Sequence, residues 1–335
     1  MKKIKSLYTK HFIIIISLLL LFSCWRKKEN NDKQVINHVA IPRFNSDSCF
    51  LFVETQIKYG PRIPNSEAHE NAGKYLVNKL KRYGAQVNTQ EFTATTYDGQ
   101  MISLKNITAG FFPKNQNRIL LLAHWDTRPF SDKDPVYPKK KFEGANDGAS
   151  GVAVLLEIAR LLSISPPPNV GIDIIFFDGE DWGEPMNSTN TTPPANSGLE
   201  SWWCLGSQYW VKQSKKNSAQ YGILLDMVGA NGSHFFKEGI SLKYANSLVE
   251  RIWGTASRLG YSNVFVNQPQ AEILDDHVFV NEIAQIPTVD IVHYDPVVGY
   301  FGDYHHSQKD NLSLISKETL GIVGTVLVTF IYEEK

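Results

Sequence analysis

Several short stretches of the sequence concentrate carboxylate and imidazole side chains: His124-Trp125-Asp126, Asn146-Asp147-Gly148, Asp178-Gly179-Glu180-Asp181, Asp226, Leu274-Asp275-Asp276-His277 and Tyr304-His305-His306. Taken singly, each has an ordinary reading. Asp147 can cap the helix that follows it. Glu180-Asp181 can be a solvated turn, and His306 a surface histidine. As a set they can do more. Oxygen and imidazole donors without cysteine suit a zinc ion with an open coordination position. Such an ion polarises a carbonyl as a Lewis acid.

Chemistry of this kind needs a frame that brings the motifs together. Residues 66–84 carry Ala68, Ala72, Tyr75, Leu76, Leu80 and Tyr83 at helical spacing, opened by Asn65 or Ser66 as a cap. Residues 119–123 read as a buried strand. Residues 148–162 read as a helix stopped by Pro166-Pro167-Pro168. Further strands are expected at 172–177, 223–225 and 287–292, and further helices at 207–215, 242–259 and 316–332. Strands separated by helices predict an α/β fold, a mostly parallel central sheet with helices on both faces. In such sheets ligands gather beyond the carboxyl ends of the strands. The motifs fall there: the strands run into His124-Trp125-Asp126, into Asp178-Gly179-Glu180-Asp181 and into Asp226. The stretch 184–201 contains Asn187-Ser188-Thr189-Asn190-Thr191-Thr192-Pro193-Pro194 and reads as a long loop. Its place just after the most acidic motif predicts that it shapes the rim of a site.

The two ends differ in kind. Lys2, Lys3, Lys5 and Lys10 precede an apolar run from Phe12 to Phe22, which is too short for a spanning helix of roughly 20 residues. The run ends in Leu21-Phe22-Ser23-Cys24, so residues 1–23 read as a secretory signal peptide. The cleavage site resembles the bacterial lipobox, which makes Cys24 the lipid-modified first residue of the mature chain. Residues 24–38 form a polar tether, and residues 39–335 a single catalytic α/β domain. The expected location is outside the cytoplasm, held by lipid on the periplasmic face of the inner or outer membrane. A monomer is expected. The formal net charge of the whole chain is 0. Removing the signal takes four lysines and no acid, leaving a mature chain near −4. No basic patch stands out, which argues against a nucleic-acid partner. Cys49 and Cys204 sit in no zinc-binding Cys-x-x-Cys pattern, and an oxidising compartment permits them to pair.

Five motifs together carry a family resemblance: Ala123-His124-Trp125-Asp126-Thr127, Asn146-Asp147-Gly148-Ala149-Ser150-Gly151, Phe177-Asp178-Gly179-Glu180-Asp181, Leu225-Asp226-Met227-Val228-Gly229 and Asp276-His277. They resemble the zinc aminopeptidase superfamily. Within it the match is to the glutaminyl-peptide cyclotransferases of the animal-like type and their bacterial relatives. It runs from about Tyr59-Gly60-Pro61-Arg62-Ile63-Pro64 to the C-terminus. The resemblance implies a zinc-aminopeptidase-like fold and one zinc ion per chain, held by Asp147, Asp181 and His306. It implies Glu180 as the catalytic acid/base, Asp226 as a second catalytic carboxylate, and Asp275 as the hydrogen-bonding partner of Asp226. Ile273 matches a residue lining the substrate pocket. The implied substrates are peptides or proteins with N-terminal glutamine, converted to pyroglutamate with release of ammonia.

The sequence departs from the family at two places. The tryptophan before the last zinc ligand is His305 here. The pocket tryptophan after the Glu-Asp pair has candidates in Trp182, Trp202 and Trp203, because the loop is longer. The rival readings are a two-zinc aminopeptidase, whose extra metal ligands His124 and Asp226 match, and a non-enzymatic surface-binding lipoprotein. Asp275 separates cyclase from peptidase. A carboxylate there can hold Asp226 through a shared proton and keep it from a second metal. The four residues Asp147, Glu180, Asp181 and His306 are all intact, which argues against an inactive fold.

Overall fold

A computed structural model describes residues 40–213 and 219–335. The expected signal peptide, the expected tether and Cys24 lie outside the described residues. Val39–Lys335 cluster as one compact unit. Its centre is a six-stranded sheet built from β1 (Gln86–Thr95), β2 (Met101–Phe111), β3 (Arg118–His124), β4 (Gly171–Phe177), β5 (Ala219–Asp226) and β8 (Thr288–Val292). Their order across the sheet is β1-β2-β4-β3-β5-β8. The four strands β4, β3, β5 and β8 run parallel. The β1–β2 hairpin joins antiparallel at the β4 side. A second, two-stranded sheet pairs β6 (Phe235–Lys237) with β7 (Phe265–Pro269).

Side chains alternate across a strand, so a strand buried on both faces reads as a continuous apolar run. Ile119, Leu121 and Ala123 of β3 face one core with Ile172, Ile174 and Phe176 of β4 and Ile223 and Leu225 of β5. That face is covered by α1 (Ser46–Ile57), α2 (Glu67–Arg82), α3 (Ala149–Ile164), α5 (Gly239–Arg258) and α7 (Lys317–Glu333). Leu120, Leu122, Ile175, Phe177 and Leu224 face the other core. There they meet α4 (Leu205–Gln213) and α6 (Asp276–Glu282) through Trp210, Val211, Phe279 and Val280. The predicted α/β sandwich is therefore the architecture observed. Cys49 and Cys204 are both buried free thiols, the first in the larger core and the second in the smaller.

Most of the expected elements are present with ends shifted by a few residues. The β1–β2 hairpin, the small β6–β7 sheet, α1 and α6 had no counterpart in the sequence reading. Residues 184–201 contain no helix or strand, as expected of a loop. No helix among the described residues is long and apolar enough to cross a membrane.

What matters for function is that the parallel strands finish level. His124 at the end of β3 pairs with Phe177 at the end of β4, and Asp226 at the end of β5 pairs with Val292 at the end of β8. The loops that follow these ends therefore meet over one edge of the sheet.

Candidate active site

The turn after β4 is shaped by carboxylates that accept backbone N–H groups. Asp126, fully buried, accepts the N–H of Glu180 at 3.1 Å and of Asp181 at 3.2 Å, one on each oxygen. Asp178 is chelated by His69, with both oxygens 2.9 Å from Nε2, and accepts the N–H of Lys105 at 2.6 Å. With these two carboxylates fixing the backbone, Glu180 and Asp181 are left to point elsewhere. Arg128 reinforces the turn: its backbone N–H donates to Asp181 Oδ2 at 2.9 Å, and its guanidinium to the carbonyls of Asp181 and Gly183.

Asp147 is held just as firmly, and it is not a helix cap. The cap of α3 is Gly148, which makes no side-chain cap bond. Gly148 has φ +83°, and a Cβ there would lie 2.7 Å from the carbonyl of Asp126, so only glycine fits. The N–H groups of Asn146 and Asp147 donate to the two oxygens of Asp310 at 2.7 and 3.0 Å. The guanidinium of Arg62 donates to the carbonyls of Trp125, Glu143, Gly144 and Asp147. The Asp147 carboxylate is thereby free to turn into the site.

There it meets the histidines. His306 Nε2 lies 2.9 Å from Asp181 Oδ1 and 3.6 Å from Asp147 Oδ2. Tetrahedral zinc bonds of 2.0–2.2 Å place neighbouring ligand atoms about 3.3 Å apart. Asp181 Oδ1 is buried and makes no hydrogen bond despite its closeness to the ring nitrogen. Two donors facing one another without a proton-sharing geometry suit a cation between them. On the outer side, His306 Nδ1 lies 3.5 Å from Asp132 Oδ1, and Arg128 grips both oxygens of Asp132 at 2.8 Å. A carboxylate behind a metal-binding histidine fixes the ring and raises its basicity. His306 Nε2 thus has two carboxylate oxygens, one from Asp181 and one from Asp147, within 3.6 Å, and imidazole with carboxylate is a donor set that zinc takes.

A second grouping lies alongside. His124 Nε2 is 3.1 Å from Asp147 Oδ1 and 3.2 Å from Asp226 Oδ1, while Nδ1 is 3.4 Å from Asp126 Oδ1. One ligand atom from each of His124, Asp147 and Asp226 fits within 4.8 Å of the others. Burial opposes charge on this imidazole, but Asp126, Asp147 and Asp226 outweigh it and lift His124 well above the usual histidine range. An imidazolium there supplies positive charge between the two carboxylates.

The remaining acids are pushed the other way. Burial, aided by the charges of Asp275 and Asp181 against that of His124, raises Glu180 well above the ordinary carboxylate range. Burial raises Asp226 to about 6, with Asp147 adding to the shift and His124 opposing it. Burial and then the charge of Asp226 raise Asp275 to about 7. Asp275 caps α6, taking the N–H of Asp276 on Oδ1, while its Oδ2 is buried without a hydrogen bond. Cys204, its backbone N–H on the carbonyl of Glu180, also donates its thiol to Glu180 Oε1 at 3.4 Å.

These groups line a cavity of about 600 Å³, whose wall includes Asp147, Glu180, Asp181, Asp226, Asp275, His305 and His306. Pro185, Met186 and Thr191 of the long loop form part of its rim. A larger, more open depression of about 730 Å³ borders α2 and the hairpin, and its His69 is already committed to Asp178.

The three tryptophans separate. Trp203 lines the cavity, stacks on His306 with centroids 6.0 Å apart, and takes the Arg128 guanidinium on its ring at 4.8 Å. Its ring occupies the space a Cβ on Gly183 would need. Trp182, expected on the substrate pocket, packs instead with Ile63, Ile102, Leu104 and Leu205. Trp202 is buried away from the cavity wall. Ile273 also falls short of the wall: it packs against Met227, Val292, Phe301 and Tyr304, and its neighbour Leu274 lines the cavity. Arg128, Asp132 and Asp310 were not singled out by sequence, Asp126 was given no role of its own, and Cys204 was noted only as a possible partner of Cys49. Asp126 had a signal in the His-Trp-Asp motif, whereas Asp132 and Asp310 lie in stretches without distinguishing composition.

Residues 106–331 match the model of peptidase family M28. Among solved structures, a zinc-dependent exopeptidase from Parabacteroides distasonis is 46% identical, covering 88% of this chain and 100% of that one, with a TM-score of 0.83. The glutaminyl cyclase of Tannerella forsythia is 43% identical, covering 88% of this chain and 100% of that one, also with a TM-score of 0.83. Among curated proteins, aminopeptidase YwaD of Bacillus subtilis is 28% identical over 82% of this chain and 54% of its own length. The chain spans about half the length of the first curated relatives it matches.

The Asp132–His306 contact makes a direct prediction. Asp132→Asn removes the charge behind the ring while keeping its shape, and should weaken zinc binding about 10–100-fold. Competition titration against a chelator measures this. Unchanged affinity would show that Asp132 serves only the loop.

Proposed function

This chain belongs to peptidase family M28, and from that premise we propose that it is a zinc-dependent glutaminyl cyclase acting on peptides and proteins with N-terminal glutamine. The observation that carries the reading is that Asp275 lines the same cavity as Asp226 and is raised by burial and by the charge of Asp226, so the two buried carboxylates cannot both ionise cheaply. The likeness to a bacterial glutaminyl cyclase supports it.

Asp147, Asp181 and His306 hold one ion per chain in this reading. Zinc bound there supplies a Lewis acid that polarises the γ-carbonyl of the substrate's glutamine. The chain's own residues do the rest. The cavity holds an N-terminal residue whose α-amine and γ-amide belong to the same side of one small fragment, so orientation removes most of the entropic barrier to ring closure. Glu180, kept basic enough by burial and neighbouring charge, takes a proton from the attacking amine and returns it to the departing ammonia. The C–N bond to ammonia breaks as the lactam C–N bond forms. A proton shared between Asp226 and Asp275 leaves an Asp226 oxygen to accept from the amide nitrogen. His124 keeps Asp226 in place at 3.2 Å and occupies with an imidazolium the position between Asp147 and Asp226. Trp203, Leu274 and Phe301 give the cavity apolar walls that disfavour competing water. The resemblance of the stretch ending in Cys24 to a lipobox supports a further part of the proposal, that this chemistry is carried out outside the cytoplasm on a lipid anchor. Loss of Cys24→Ser from the membrane fraction, with catalysis intact, is the expected result, and its retention there would assign the anchoring to another segment.

Reaction type decides the reading. Purified protein should lower the mass of a Gln-initiated peptide by one ammonia and leave its first peptide bond intact, as read by mass spectrometry. Release of free amino acids from many peptides, without cyclisation, would make it a peptidase instead. In the same assay Glu180→Gln should keep its zinc and lose about 10²–10⁴-fold in turnover, the usual weight of a general acid/base.

A further inference from the structure

One wall of the cavity carries a pair of side chains that the groups above leave unused. Lys133 Nζ lies 2.7 Å from His305 Nδ1, and both residues line the cavity. The lysine also sits 5.0 Å from the centroid of the Tyr300 ring. His305 is boxed in by Phe301, edge-on at 4.5 Å, and by His306, with centroids 3.7 Å apart. The two loops that carry the pair are laced together. The backbone N–H of Lys133 donates to the carbonyl of His306, and that of Gln308 to Asp134 Oδ2. The Gln308 side chain donates to Ser131 Oγ at 2.5 Å. Lys133 is therefore delivered to His305 by the backbone.

A lysine ammonium only donates, and a neutral imidazole carries a single ring N–H. With Nδ1 accepting from Lys133, the ring hydrogen must sit on Nε2. That nitrogen lies 3.9 Å from Asp147 Oδ2, too far for a hydrogen bond to it but at the edge of the ligand cluster. In the other tautomer the Nε2 lone pair would face the same place. There His305 could join Asp147 and His306 as a metal ligand, since one donor atom from each fits within 4.8 Å of the others. The lysine contact selects between a hydrogen-bond donor and a ligand that would close the open coordination position.

We propose that Lys133 fixes His305 in its Nε2–H tautomer, so that His305 donates a hydrogen bond to the γ-carbonyl oxygen of the substrate's N-terminal glutamine. This rests on the cyclase reading for the identity of that oxygen. Charge grows on it as the amine attacks, and a donor already aimed at that point needs no reorganisation. His305 is then a catalytic residue in its own right, and Lys133 a positioning residue that acts through it.

Long-range proton–nitrogen NMR correlation on zinc-loaded protein labelled with ¹⁵N-histidine reads the tautomer directly. The wild type should show His305 with hydrogen on Nε2. Lys133→Met should shift it toward the Nδ1–H form and lower kcat on a Gln-initiated peptide by about 10²–10³-fold, the range for removing one such donor, with KM changed less. Lys133→Arg, which keeps a donor, should retain the wild-type tautomer. An Nδ1–H form in the wild type overturns the proposal, and that spectrum decides it even if Lys133→Met fails to fold. A variant with unchanged tautomer and unchanged kcat overturns it as well. A wild type with the Nε2–H form that trims peptides without cyclising them overturns the assigned oxygen through the cyclase reading, and leaves the Lys133–His305 tautomer standing.

Discussion

Carboxylates drawn together in a dry site must find positive charge, and the architecture of this protein follows from how it meets that need. The level ends of β3, β4 and β5, with the start of α3, bring Asp147, Asp181, Asp226 and Glu180 into one buried region. Burying ionised groups unpaired is costly enough that they either neutralise or acquire a partner. Three devices share the work here. Backbone N–H groups satisfy Asp126, Asp178 and Asp310, which thereby become struts. Imidazoles and Arg128 sit beside Asp147, Asp181 and Asp226. The donors left converging, Asp147, Asp181 and His306, are those that suit a divalent cation.

Much of this was legible in the sequence because parallel strands buried on both faces must be apolar throughout. Ile119-Leu120-Leu121-Leu122-Ala123 and Ile172–Phe177 declare themselves, and motifs at the ends of such runs land on one edge of the sheet. The hairpin was not legible for the opposite reason. β1 alternates exposed and half-buried residues at the sheet's margin, so Gln86–Thr95 carries no apolar run to notice. The short α6 is set mainly by the Asp275 cap and by packing against the smaller core. Within the site, the separation of Trp203 from Trp182 depends on the path of the chain around Gly183 and through a long irregular loop, which local sequence does not determine. The carboxylate behind His306 was hidden for a similar reason, because Asp132 reaches it from a loop far away in the chain.

A peptidase and a cyclase can share nearly all of these residues, so the difference must lie in what balances Asp226. A metal drawn to His124 and Asp226 would give a second ion next to the first. An imidazolium at His124 and a shared proton with Asp275 would satisfy the same carboxylates without one. In the proposed cyclase, the substrate supplies its own nucleophile, and a second ion has no reactant to activate.

Crystals of the zinc-loaded protein, measured on both sides of the zinc absorption edge, test this balance of charge most directly. A single-zinc cyclase gives one anomalous peak per chain, bounded by Asp147, Asp181 and His306, with Asp226 hydrogen-bonded to Asp275. A second peak of comparable height between His124 and Asp226 would contradict it.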